Sequence, residues 1–207
     1  MPRIPAMNRD RESGALPRSA GRRPQAAIDT TRRLPRGVAA RARRIRLLVL
    51  DADGVLTDGR LVYGPTREML MAFHVHDGHG IKLAQANGMI VAILSGRSSP
   101  MLRRRAAELG VQEICVGIAD KETAFAELLL RLGIPAEETA CMGDDLPDLP
   151  LLSRAGLALS VPNGVPEVQA AAHLVTRRPG GQGAVREAIE LILKAQGRWS
   201  RILEAHR

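Results

Sequence analysis

Aromatic residues are almost missing from this chain: Tyr63, Phe73, Phe125 and Trp199 are the only four among 207 residues. Single-stranded nucleic acids are held on exposed ring platforms, so nucleic acid is a poor partner for the folded part. The core has to be built from Leu, Val, Ile and Ala. Cysteine is equally scarce. Cys115 and Cys141 both lie inside apolar, strand-like runs, which excludes a disulfide scaffold or a cysteine-ligated metal cluster and suits buried thiols in a reducing, cytoplasmic setting. No apolar run approaches the roughly 20 residues of a membrane span, and no signal-peptide core is visible. Lysine is absent from the first 46 residues, which carry 13 Arg against Asp10, Glu12 and Asp29. That segment therefore holds +10, and the whole chain at +8 leaves −2 for the remaining 161 residues. The basicity belongs to an N-terminal arm, the one hint of nucleic acid, and not to the fold.

Residues 1–43 are rich in Arg, Pro, Gly, Ser and Ala and show no sustained periodicity. Such a composition buries too little apolar surface to order itself, so a disordered tail, or an extension upstream of the true start, is expected. Pro2, Pro5, Pro17, Pro24 and Pro35 argue against an amphipathic targeting helix. From residue 44 to 196 apolar strand-like runs alternate with amphipathic helical stretches. Strands are expected at about 45–51, 89–94, 113–117, 139–145, 157–161 and 173–176, with helices at about 78–87, 99–109, 120–132, 147–154, 165–171 and 184–195. Between the first strand and the first helix, Leu61–Tyr63, a Gly64-Pro65-Thr66 turn and Met69–Val75 predict a β-hairpin at about 59–75. Residues 197–207 read as a polar tail. The alternation predicts an α/β fold: a doubly wound parallel sheet with helices on both faces.

The chemistry-bearing residues cluster where apolar strands stop. The run Leu47–Leu50 ends in Asp51 and Asp53, inside DADGVLTDG; the strand at 89–94 delivers Ser95, Gly96 and Arg97; Lys121 follows the third strand; and TACMGDD ends in Asp144 and Asp145. In a parallel sheet these ends share one edge, so the four clusters should meet in one crevice. Crowded carboxylates repel unless a cation offsets them. With no His or Cys ligand beside them, they suit a hard, oxygen-preferring ion such as Mg²⁺. A hydroxyl, a lysine and backbone N–H groups suit a phosphoryl group, and a carboxylate can attack phosphorus to give an aspartyl phosphate. Phosphoryl transfer to water is the expected reaction.

DADGVLTDG, SGR, Lys121 and GDDLPD, in that order, resemble the four motifs of the haloacid dehalogenase superfamily of aspartate-nucleophile phosphatases. The Leu-Thr-Asp-Gly extension, together with GQGAVREAI at 181–189, is similar to the branch of 3-deoxy-D-manno-octulosonate 8-phosphate phosphatases. The resemblance covers about residues 43–197. It implies a Rossmannoid fold whose hairpin replaces a cap domain, and a homotetramer assembled through that hairpin. It implies Asp51 as nucleophile and Asp53 as general acid/base. Asp51, Asp144 and the backbone carbonyl of Asp53 would ligate Mg²⁺, and Ser95 and Lys121 would hold the phosphate. His74, His76, Asp77, Gly78, Lys82, Arg97 and Arg105 would contact the substrate, a small phosphorylated sugar acid of lipopolysaccharide biosynthesis. Asp145 and Asp148 would order the loop. The branch usually shows Asn and Arg where this chain has His74 and His76. A phosphatase of a nine-carbon acidic sugar phosphate, or a non-catalytic oligomerisation module, are the alternatives.

Overall fold

The computed structural model describes residues 35, 37–64 and 69–207. Six strands form one parallel sheet: β1 (Leu47–Leu50), β4 (Ile90–Ser95), β5 (Glu113–Val116), β6 (Thr139–Gly143), β7 (Leu157–Ser160) and β8 (Leu174–Val175). Their order is β5-β4-β1-β6-β7-β8. The chain leaves β1 toward β4 and β5, then returns past β1 to build β6, β7 and β8 on the other side. The direction reverses between β1 and β6, and the carboxyl ends of these two strands flank the crevice where ligands bind in such sheets. Leu50 is level with Ile93 on one side and Met142 on the other, so Asp51 emerges one residue beyond β1, its N–H donating to the Met142 carbonyl (3.0 Å).

Period-two alternation sorts the sheet's side chains into two cores. Leu48, Leu50, Val91, Ile93, Ala140, Met142, Leu157 and Leu159 pack beneath α1 (Val38–Arg43), α2 (Val75–Ala86), α3 (Pro100–Leu109) and α7 (Ala184–Ala195). Leu47, Val49, Ala92, Leu94, Cys141 and Ala158 meet α4 (Lys121–Leu132), α5 (Leu149–Arg154) and α6 (Pro166–Ala171), with Phe125 fully buried at their centre. The helices stop where their sequences dictate: α3 and α4 end at Gly110 and Gly133, both left-handed, and Ser99 and Asp120 cap their first turns.

Four expectations shift. Residues 38–43, placed by the sequence in the tail, form α1; Val38 and Ala42 are buried, and the Gln196 side chain donates to the Ala42 and Ile45 carbonyls. Residues 1–34 of that tail lie outside the described residues. The C-terminal tail contains α8 (Trp199–Glu204), held by buried Ile202 and by Arg186 and Lys194 against the Trp199 ring. The hairpin is real but short, β2 (Val62–Tyr63) pairing antiparallel with β3 (Met69–Leu70). Its return arm ends at Leu70 rather than Val75, because α2 begins three residues earlier than expected, at Val75. His74 caps that helix, its Nδ1 accepting from the His76 N–H (3.2 Å).

Candidate active site

At the β1–β6 reversal the carboxylates of Asp51, Asp144 and Asp148 each bring an oxygen within 4.8 Å of the others. Asp51 and Asp148 are buried and Asp144 half-buried. Lys121, the first residue of α4 and itself buried, faces them and donates from Nζ to Asp51 Oδ1 and to Asp148 Oδ1, both at 2.6 Å. Asp148 turns its other oxygen back to accept from the N–H groups of Asp144 (3.0 Å) and Asp145 (3.3 Å), closing a capping box with Asp145. The loop after β6 is thereby fixed so that Asp144 points toward Asp51.

Three acids around one buried lysine leave uncompensated negative charge, which shifts the protonation of the cluster. Burial, then the charge of Asp148, push the Asp51 carboxyl up to about 6, with Lys121 opposing. Burial, then Asp51 and Asp148, push Asp144 up to about 7. Lys121 feels the opposite balance: burial favours its neutral form, but the two aspartates outweigh burial and raise its pKa. Carboxylates forced toward protonation with no His or Cys among them are the donor set of a hard divalent cation. The space agrees. Gly54 sits at φ 89°, and a Cβ there would overlap the Asp144 carboxylate.

The rest of the mouth is stitched to the first loop. Asn163 donates to the Gly54 carbonyl (2.8 Å) and accepts from the Gly180 N–H (2.7 Å), and the Gly181 N–H donates to the Val55 carbonyl (2.9 Å). Gly180 packs so closely that a Cβ would run into the Gly54 carbonyl. Sequence reasoning missed Asn163; its only signal was a Pro-Asn-Gly turn after β7.

Six of the expected site residues converge here: Asp51, Asp53, Ser95, Arg97, Lys121 and Asp144. Ser95 closes β4, only 1% exposed, its hydroxyl exchanging hydrogen bonds with the Arg97 backbone (3.2 and 3.3 Å). Arg97 forks Asp53, Nε to Oδ2 at 2.8 Å and Nη2 to Oδ1 at 2.9 Å. This pairing was not anticipated, since 44 residues separate the two. The expected substrate contacts divide. His74, Gly78 and Arg105 line a cleft together with Leu56 and Phe73. His76 stands exposed, its ring 5.0 Å from that of His74, and Lys82 lies exposed on α2. Asp77 is different. It also borders the cleft, but it is 2% exposed and both its oxygens are taken, accepting from the N–H groups of Gly183 (3.1 Å) and Arg186 (2.7 Å). Burial raises its pKa against those two bonds. Asp77 caps α7 from a neighbouring helix, a task no local pattern announces.

Comparison with known proteins agrees with this geometry. Residues 112–189 match the model of a family of haloacid dehalogenase-like hydrolases. The chain is 44% identical over 161 residues to the 3-deoxy-D-manno-octulosonate 8-phosphate phosphatase of Escherichia coli K12, spanning 78% of this chain and 86% of that protein. The crystal structure of the phosphatase of that name from Moraxella catarrhalis, in complex with magnesium, phosphate and KDO, is 42% identical and superposes with a TM-score of 0.81 over 82% of this chain and 98% of that one. A cobalt-bound form of the Haemophilus influenzae enzyme is 43% identical with a TM-score of 0.74, over 76% and 92%. With its parallel sheet, its acid cluster at the β1–β6 reversal and relatives of this identity and coverage, the chain belongs to the 3-deoxy-D-manno-octulosonate 8-phosphate phosphatase family of haloacid dehalogenase-like hydrolases.

Proposed function

We propose that this protein hydrolyses 3-deoxy-D-manno-octulosonate 8-phosphate to the free sugar acid and phosphate, as a cytoplasmic step of lipopolysaccharide synthesis. One observation carries the reading: Asp51, Asp144 and Asp148 gathered around Lys121 at the sheet's switch point. The arrangement divides the work. Asp51 attacks phosphorus, and the bond from phosphorus to the sugar oxygen breaks. Asp53, protonated, gives its proton to the departing alkoxide. The Asp53 carboxylate then takes a proton from water as that water's oxygen attacks the phosphorus carried on Asp51, and phosphate leaves with Asp51 restored. Lys121, 2.6 Å from Asp51, and Ser95 hold the phosphoryl oxygens. The side chains of Asp51 and Asp144 and the backbone carbonyl of Asp53 are the ligands for Mg²⁺, which when bound offsets the charge of the carboxylates and of the phosphoryl group.

The sugar acid falls to His74, His76, Lys82, Arg97 and Arg105, from α2, the loop after β4 and α3, with Gly78 leaving room and Asp77 supporting the wall. An imidazole offers one N–H where an arginine offers a fork, so a looser grip on the carboxylate than in relatives with Arg belongs to this reading. The hairpin exposes Leu61, Val62, Tyr63 and Leu70, between 42% and 70% accessible. An isolated two-stranded hairpin is marginally stable, and apolar side chains set this way favour packing against further copies, in a homotetramer. Phosphate release measured with Mg²⁺ across six- to nine-carbon sugar phosphates tests the assignment. The eight-carbon acid should be preferred, EDTA should abolish release, and a preference for a nine-carbon acid would move the substrate while keeping the chemistry.

A further inference from the structure

Two cations meet the two motif aspartates in different ways. Lys121 and Asp51 are each 8% exposed at their side chains, locked in a buried pair that also includes Asp148. Arg97 and Asp53 are 34% and 27% exposed at their side chains, a half-exposed pair. The Arg97 fork takes both oxygens of Asp53, and its hydrogen bonds, chiefly, raise the guanidinium's own pKa. Yet to serve a leaving alcohol, Asp53 has to leave the fork and take up a proton from solvent, and one of its oxygens has to turn to the substrate. A half-solvated ion pair contributes little net energy and exchanges partners readily; a guanidinium gives up one carboxylate for another anion of similar geometry.

We propose that Arg97 is a positioning residue that latches Asp53 in the resting site, and that a second anionic group on the substrate, the carboxylate of a sugar acid, frees Asp53 by drawing the guanidinium to itself. The inference rests on the reading of Asp53 as the general acid/base and adds a source of selectivity: a phosphate monoester lacking a second anion leaves the latch closed. Such a substrate reacts only from the minor population in which the pair has opened, and its rate falls by that fraction.

The test compares kcat/KM for Arg97→Gln and the intact enzyme, as Mg²⁺-loaded full-length proteins, on three probes. D-Mannose 6-phosphate needs leaving-group protonation and carries no carboxylate; opening the latch should raise its kcat/KM about threefold or more. p-Nitrophenyl phosphate has a leaving group that departs without a proton, so its kcat/KM should change by a smaller factor than that of mannose 6-phosphate. For 3-deoxy-D-manno-octulosonate 8-phosphate the value should fall, so that the preference for the acid over mannose 6-phosphate drops by about tenfold or more. Neither a purely structural role nor a purely substrate-binding role raises the rate on mannose 6-phosphate; an unchanged or lower value there overturns the proposal. Arg97→Lys, which keeps the charge and loses the fork, should move each probe in the same direction and decides the matter should the Gln variant melt at a markedly lower temperature. Asp53→Asn separates the two layers. It should lose about 100-fold or more on mannose 6-phosphate and far less on p-nitrophenyl phosphate. Equal losses on both would remove the acid role of Asp53 and the latch with it, whereas a discriminating Asp53→Asn beside a non-rising Arg97→Gln removes the latch alone.

Discussion

At Asp144 the charge balance of the site can be read with its sign. Its folded carboxyl is raised to about 7 from 3.8, and that of Asp51 to about 6 from the same value. The folded, metal-free protein therefore binds more protons than the unfolded chain between those values, and each acid detracts from stability increasingly as pH rises through that window. In EDTA, Asp144→Asn should melt above the native protein, with a gap that widens between pH 5 and pH 8; a gap independent of pH contradicts the crowding. The same shifts make Mg²⁺ compete with protons, so its affinity should fall by up to about tenfold for each pH unit below 7 per proton displaced. Isothermal titration at pH 6 and pH 8 reads this directly. Lys121→Met removes the cation and strands two buried carboxylates, at a cost on the order of 3–5 kcal/mol in the metal-free protein. Denaturant unfolding in EDTA checks that figure, and Mg²⁺ should restore part of it. Asp51, Asp53, Ser95, Lys121 and Asp144 were visible in the sequence because each follows an apolar strand-like run within a few residues. The Arg97–Asp53 fork and the Asn163 bridge were not, because they join residues 44 and 109 positions apart whose proximity exists only once the sheet has formed.

At the scale of elements, α2 and α7 depend on one carboxylate. The helix α7 begins after left-handed Gly183, with no side-chain cap of its own, and Asp77 of α2 supplies the acceptors for Gly183 and Arg186. Asp77→Ala leaves two N–H groups unpaired in a buried place and should lower stability by about 2 kcal/mol or more, seen as an earlier denaturant midpoint. Because the loop 180–183 is bonded to the loop after β1 through Gly181 and Asn163, the variant should also weaken Mg²⁺ binding, whereas a pure substrate contact would alter KM and leave the midpoint in place. The strands and the stops of α3 and α4 were legible from apolar runs, Gly110 and Gly133. The helices α1 and α8 were not. VAARAR and WSRILE carry too few apolar positions to signal a buried face, and each is held by α7 rather than by its own sequence.

For the molecule as a whole, the parallel sheet and the shared edge of its polar clusters followed from the alternation of runs; the strand order that reverses between β1 and β6 did not, because it depends on which strands pair. The arm's charge was legible, its role was not. Removal of residues 1–34 should leave kcat/KM and the melting temperature unchanged, since the core of the sheet, its helices and every site residue lie beyond it. Assembly is a separate claim. Replacing Leu70, 64% exposed on the hairpin, with Glu should split the proposed homotetramer into smaller species by sedimentation, with less activity per chain; a native protein sedimenting as a monomer would remove the hairpin's assigned part.

The central claim, hydrolysis by an aspartate nucleophile on a hard cation, meets its most direct measurement in phosphate release from 3-deoxy-D-manno-octulosonate 8-phosphate by the native protein and Asp51→Asn, each with Mg²⁺ and with EDTA. Turnover should appear only for the native protein with Mg²⁺, the variant losing at least about 1,000-fold. Undiminished turnover by Asp51→Asn, or by the native protein in EDTA, would contradict the account.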